Sequence, residues 1–293
     1  MTPPNGRVAI LPNAMKLGTR PARIALDDLI WPLGQPDELK GGHLSDLTAQ
    51  DHLIVFPRDT LHTRPGFGTR AQVSLLIMEP AAIHGHHLKL LRVTARRFHR
   101  ILTTDEALLK VIPNGVFFPF GSTWVPNWRD LDLSKSRMCS LIASSKRSQE
   151  GHALRHTIAD WTKDNGHSVD LMGGGYQRFG DKSEGLAPYR YSIVIENVRE
   201  RNYFTEKLID ALVCQCVPIY WGCPNIGDFI DTSAMIVCTT EADVKAAIEA
   251  MSPDDYAARH PAILAAQTQT EHYADFYRRA AKAVLGQTSD QMP

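Results

Sequence analysis

The chain has 293 residues, 43% hydrophobic and 22% charged, enough to build two cores of ordinary size and too apolar for a disordered chain. Lysine plus arginine and aspartate plus glutamate both number 32, a balance that argues against nucleic acid or an acidic membrane as the main partner. No apolar run approaches the roughly 18 residues of a bilayer span and the start MTPPNGRVAIL has no secretory apolar region, so a soluble chain is expected, cytoplasmic or the soluble part of a longer one.

In chain order, short apolar runs predict strands at Val8–Leu11, Arg23–Leu26, His52–Phe56, Val73–Met78, His99–Thr103 and Val116–Phe118. Runs such as LIVF and VSLLIM suit strands covered on both faces of a parallel sheet. Crossover helices are predicted at Leu88–Phe98 and Asp105–Val111. The stretch Phe120–Lys135, rich in proline and tryptophan, has the look of a connection. A second set follows, with strands at Cys139–Ala143, Ser168–Leu171, Ser192–Ile195, Val217–Tyr220 and Met235–Cys238. Its helices are predicted at His152–Trp161, Thr205–Cys214 and Ala242–Met251, with a helical tail from Pro253 to Leu285 broken near Pro261. Two successive sets of alternating strands and helices predict an α/β chain of two Rossmann-like domains facing a cleft. The expected division is 1–128, a linker at 129–136, and 137–293. Ligands of such sheets bind at the carboxyl ends of the strands.

The helix starting at Thr205 carries an acid and a base in its first turn, Glu206 and Lys207. A helix N-terminus offers free N–H groups and partial positive charge, which suit a phosphate. Lys207 would add a full charge, while Glu206, about 100° around the helix, could take a ribose diol as the acid of dinucleotide folds does. An acidic first turn that merely stabilises the helix end accounts for the pair equally well.

The surroundings of this pair carry more. The strand YRYSIVIEN ends in Glu196 and Asn197, and six residues beyond Asn197 stands Tyr203 in YFTEKLIDALVCQCVPIYWGCPN. This long, spaced block strongly resembles the signature of the α1,3-fucosyltransferase family, glycosyltransferase family 10. CSLIASS, LRHTIADW and VDLMGGGY extend the resemblance back to Cys139, and IMEPAAIH, RILTTDEALL and FFPFG are shorter matches in the first half. The resemblance implies a GT-B fold with the acceptor on the first domain and the nucleotide sugar on the second. It implies Arg155 on the donor pyrophosphate, Asn197 and Tyr203 lining the donor pocket, Glu206 on the guanosine ribose and Lys207 on phosphate. Ser144, Ser145 and Gly174 fall on its donor side, and Glu79 is its general base. Two departures stand out: Ser144-Ser145 replaces the family's Ser-Asn, and Glu79 is followed by Pro80-Ala81 instead of Ser-Pro.

The implied activity is inverting transfer of L-fucose from GDP-fucose to a glycan hydroxyl. The alternatives are the same fold with another nucleotide sugar, or a non-catalytic nucleotide- or glycan-binding relative. A carboxylate to take the acceptor proton and positive charge on the departing diphosphate meet the needs of such a transfer. No tightly bound cofactor and no required metal are expected; the partners are a nucleotide-sugar donor and a glycan acceptor. Asp130-Leu131-Asp132 resembles a metal-holding tripeptide but lies away from a strand end and is read as surface. His84-Gly85-His86-His87 lacks i, i+4 spacing and an evident carboxylate partner and is read as a polar acceptor-side loop. Arg92, Arg96, Arg97 and Arg100 are read as a solvated helix face. Trp124 and Trp128 could stack on sugar or pack at a hinge. The five cysteines, Cys139, Cys214, Cys216, Cys223 and Cys238, lack paired C-x-x-C spacing and are read as small buried residues.

Overall fold

The computed structural model describes residues 7–287. The chain packs as two compact units, one running to Pro119 and resuming at Tyr277, the other Phe120–Phe276. The division expected at 129–136 differs from this, for reasons visible in single interactions. Thr123 Oγ1 and the Trp124 amide donate to Asp210 at 2.6 and 2.9 Å, tying that segment into the second unit. Arg279 donates to the Pro119 carbonyl at 2.9 Å and stacks over Phe118, returning the chain's last helix to the first unit. The extreme ends of the expected domains, 1–6 and 288–293, lie outside the described residues.

The first unit is built on a parallel sheet of β1 (Val8–Ile10), β2 (His52–Val55), β3 (Gln72–Leu76), β4 (Ile101–Thr103) and β5 (Gly115–Phe117), in that spatial order. β2 and most of β3 are buried residue by residue, as strands covered on both faces must be. The helices are α1 (Thr60–Thr63), α2 (Ala81–Thr94) and α3 (Glu106–Leu109). The strand predicted at Arg23–Leu26 is absent. Four 3-10 turns, from Pro21–Arg23 to Leu44–Asp46, join β1 to β2, and the pairing there is confined to two isolated bridges, Ala25 with His43 and Ile30 with Ile10. Proline and aspartate at successive turns interrupt any extended run. Leu26, Leu44 and Leu47 from these turns complete a core with Leu53, Leu75 and Leu91.

The second unit has β6 (Arg137–Ile142), α4 (Glu150–Asp164), β7 (Val169–Met172), β8 (Tyr189–Ile195), α5 (Glu206–Val213), β9 (Val217–Trp221), β10 (Ile236–Cys238), α6 (Glu241–Glu249) and α7 (Pro253–Ala274). Its strands are all parallel, in the order β10-β9-β8-β6-β7. The α/β class with two parallel sheets agrees with expectation. The tail departs in one detail: α7 runs through Pro261 and ends at Asp275, after which α8 (Phe276–Val284) begins. Pro261 faces solvent, where water can serve the carbonyl that loses its partner, and Tyr256, Ile263, Ala266 and Tyr273 hold the helix down on either side. All five cysteines are unpaired and buried in this unit. No described helix is long and apolar enough to cross a membrane.

Candidate functional site

β6 and β8 are neighbours in space, yet β6 leads to β7 on one side and β8 to β9 on the other. The order of strands therefore reverses between them, and the crevice beyond their carboxyl ends is where open α/β sheets take ligands. The chain leaves β6 through Ser144 and Ser145, both exposed, and enters α4 after Lys146 and Arg147, also exposed. It leaves β8 through Glu196 and Asn197 and enters α5 after Thr205. Two helix N-termini thus flank the reversal.

Close packing fixes these ends. A Cβ on Gly151, in the first turn of α4, would lie 1.7 Å from the Glu196 carbonyl oxygen, and the Gly151 amide donates to the Asn197 carbonyl at 2.9 Å. Farther along α4, Arg155 is buried and donates through Nε to the Ile195 carbonyl at 2.8 Å and through Nη2 to Asn197 Oδ1 at 3.0 Å. Burial lowers its pKa, against the pull of Glu196. Beyond β7, a Cβ on Gly173 would approach the Ala143 carbonyl oxygen to 2.5 Å, and that residue holds φ at +98°. Gly174 is exposed with open space around it. The triple glycine thereby lies along the loop leaving β6.

Glu196 is the buried centre of the α5 end. Its carboxylate accepts from the Thr205 amide at 2.8 Å and the Thr205 hydroxyl at 2.7 Å. Thr205 in turn caps α5, accepting from the Lys207 amide at 3.3 Å. Lys207 Nζ lies 3.5 Å from Glu196 and 3.3 Å from Glu206. Burial opposes the Lys207 charge, but Glu196 and Glu206 outweigh it and hold its pKa above the usual lysine value. For Glu206 burial is likewise overcome, by Lys207 and Lys182, and the carboxyl sits below its ordinary range. Lys182 Nζ is 2.6 Å from Asp210 and 3.9 Å from Glu206; burial pushes the Asp210 carboxyl up, with Lys182 opposing. Arg155, Lys182 and Lys207 thus stand against Glu196, Glu206 and Asp210, three cations to three carboxylates. The full charge expected of Lys207 is therefore matched within the protein by Glu196 and Glu206, and α5 begins in a neutral cluster.

Tyr203 is buried between Asn202 and Phe204. The loop that presents it is pinned by a reciprocal pair: the Asn202 amide donates to Asn225 Oδ1, and Asn225 Nδ2 donates to Asn202 Oδ1, each at 2.9 Å. Asn202 adopts φ +63°, a left-handed conformation that asparagine tolerates well. Of the donor-side candidates, Arg155, Asn197, Tyr203, Glu206 and Lys207 are joined by the α4–β8–α5 framework, and Ser144, Ser145 and Gly174 sit on the adjoining loops. Glu79 belongs to the other unit. It is half-buried, past the carboxyl end of β3 and immediately before Pro80, the N-cap of α2.

Sequence reasoning assigned no role to Lys182, Asp210, Lys146 or Arg147. Asp210 lies inside the signature block, one helical turn beyond Glu206, which is a usable signal. Lys182 comes from a 3-10 turn between β7 and β8, and nothing in its spacing links it to α5. Lys146 and Arg147 directly follow the recognised serines, make no ion pair among the described residues, and are the exposed cations of the β6 loop. His84, His86 and His87 are not in a loop: they lie on α2, whose first turn follows Pro80. A carboxylate partner exists after all, in Asp59. Asp130 and Asp132 are exposed. Trp128 is buried beneath Arg129, and Trp124 is exposed beside Lys182.

Residues 132–253 match the model described as Glycosyltransferase family 10 (fucosyltransferase) C-term. This bears out the resemblance stated for the block from Cys139 onward. The chain is 37% identical over 83 residues to a fucosyltransferase-like protein of Arabidopsis thaliana, a stretch covering 28% of this chain and 16% of that one. It is 41% identical over 46 residues to the alpha-(1,3)-fucosyltransferase FucT of Helicobacter pylori, covering 16% of this chain and 10% of the relative. The matches therefore span a small part of each relative's length. Among solved structures, OtsA in its apo form is similar with a TM-score of 0.52 at 10% identity, over 84% of this chain and 74% of that one. That likeness is one of fold.

Proposed function

We propose that the chain is an inverting glycosyltransferase that moves L-fucose from GDP-fucose to a hydroxyl of a glycan acceptor. The observation that supports this most is the gathering of the signature residues, and of two helix N-termini, at the reversal of strand order inside the segment that matches the family.

In this reading the donor diphosphate rests on the loop from Ser144 to Arg147 and on the N-terminus of α4. The helix end supplies amide hydrogens and partial positive charge, and Lys146 and Arg147 supply full charges not already neutralised. Glu206 and Lys207 hold each other until the donor arrives. The ribose diol then donates to the Glu206 carboxylate while Lys207, still paired with Glu196, turns an N–H toward phosphate. Glu79 is the general base: it takes the proton of the acceptor hydroxyl as that oxygen bonds to the anomeric carbon. The bond from that carbon to the diphosphate oxygen breaks, and GDP leaves carrying the electron pair. A single displacement inverts the anomeric centre. Glu79 lies where loops after strands of α/β sheets commonly carry chemistry.

The test is nucleotide-selective stabilisation. A ligand bound only by the folded state raises Tm, by the equivalent of about 2.7 kcal/mol at a hundredfold excess over Kd. GDP is expected to raise it, and UDP and CDP to do so weakly or not at all. Lys146→Ala and Arg147→Ala, being exposed, should leave the unliganded Tm unchanged and reduce the GDP shift. A larger response to UDP or CDP would replace the donor with another nucleotide sugar. Glu79→Gln should bind GDP as the parent does while losing about 10²–10⁴-fold in transfer rate. If GDP binds and neither protein transfers to any glycan in a broad acceptor panel, the chain is a binding relative and not an enzyme.

A further inference from the structure

Asp59 occupies the N-cap position of α1, where an aspartate ordinarily accepts from the amides of the first turn. Its side chain makes no such bond. It is turned instead toward α2, with Oδ1 2.9 Å from His86 Nε2 and 3.9 Å from His87 Nε2. One ligand atom from each of Asp59, His86 and His87 lies within 4.8 Å of the others. Around a tetrahedral zinc with bonds of about 2.0–2.1 Å, ligand atoms are about 3.3 Å apart, a value between the two Asp59 distances.

The buried side of this cluster fixes a tautomer. The Thr94 hydroxyl donates to the Leu90 carbonyl at 3.0 Å, so its oxygen accepts from His62 Nδ1 at 2.9 Å. His62 then carries its proton on Nδ1, and its Nε2 accepts from His87 Nδ1 at 3.0 Å. The proton of His87 is thereby placed on Nδ1, and its Nε2 lone pair faces the Asp59 carboxylate. Two acceptors face each other there, and an imidazole nitrogen anchored through its other nitrogen is the arrangement metal-binding histidines use.

We propose that Asp59, His86 and His87 form a binding site for a first-row divalent cation, zinc by its two-imidazole, one-carboxylate donor set, which clamps α1 to α2. The fourth position is left to water. On binding, His86 passes from the Nε2–H tautomer that donates to Asp59 Oδ1 at 2.9 Å to the Nδ1–H tautomer and ligates through Nε2. The site lies wholly within the first unit and stands apart from the donor reading above, whose scheme uses no metal.

Calorimetric titration of the full chain, stripped with a chelator, provides the test. Zinc chloride should bind with one ion per chain and magnesium chloride should give no heat, because magnesium prefers oxygen ligands. Asp59→Asn and His86→Gln change exposed side chains and should fold as the parent does, verified by circular dichroism and an unchanged GDP response. Each should weaken zinc binding by at least tenfold, and Thr94→Val, which removes the end of the orienting chain, by about tenfold. Cobalt titration should give the visible absorption of a four-coordinate site in the parent and lose it in both variants. Absence of zinc binding in the parent, or equal affinity in the parent, Asp59→Asn and His86→Gln, would overturn the proposal without touching the donor assignment.

Discussion

Gly151 has no room for a side chain. The 1.7 Å approach of its absent Cβ to the Glu196 carbonyl oxygen makes alanine there a forced separation of α4 from β8. Overpacking of this kind typically costs about 1–3 kcal/mol and occasionally more; Gly151→Ala is expected at the upper end, read as a lower urea midpoint, with loss of GDP binding. Gly222 has a similar constraint, since its Cβ would meet Glu196 Cγ and Tyr220 Oη at 2.6 Å. Thr205 joins the same assembly through its two bonds to Glu196 and its cap on α5. Thr205→Val should cost about 1–2 kcal/mol, and Thr205→Ser should recover most of it; equal loss in both would remove the hydroxyl from the account. Glu196, Thr205, Gly222 and Asn225 all belong to the recognisable sequence block, and each is explained by packing or hydrogen bonding within the protein. Much of that block therefore specifies the scaffold that carries the site.

The helix α5 shows which elements the sequence discloses. Its cap, charged first turn and apolar face at helical spacing all point one way, and the observed Glu206–Val213 lies inside the expected range. The central parallel strands were legible for the same reason: β2, β4 and β9 hold apolar runs and are buried at every residue, as doubly covered strands are. The turns between β1 and β2 were not, because 3-10 turns carry neither period. The helix α2 was misread at its start, where Gly85 and three histidines hide a helical phase that the buried His87, Leu88 and Leu91 make plain. The strand order of the second sheet, which defines the site, comes from pairings between segments distant in sequence and has no local signal. In α7 the misleading residue is Pro261, exposed in mid-helix. Replacing it restores a hydrogen bond and relieves a clash, so Pro261→Ala should stabilise the chain by about 1–3 kcal/mol in urea denaturation, provided the native φ is kept.

At the scale of the molecule, stability should depend on pH through histidines that fold uncharged. His52, buried on β2, has its pKa pushed down to about 4 by burial and by the neighbouring His99. Between about 4 and the ordinary value of 6.5 the unfolded chain binds the proton that the folded chain refuses. The stability it contributes is thus complete above pH 6.5 and is lost as pH falls toward 4, by up to about 3 kcal/mol. Urea midpoints measured across that window should slope upward with pH, and His52→Phe should flatten the slope. The second unit offers a different handle. Its five thiols are all buried, and burial pushes Cys223 up to about 11 and Cys238 up to about 12, while only the thiolate is reactive. A disulfide reagent added to the native chain should therefore develop colour only as fast as Phe120–Phe276 opens. The reaction becomes a clock for one half of the polypeptide, silent about the other, and a nucleotide at a hundred times its Kd should slow it by about a hundredfold when reclosing outpaces labelling.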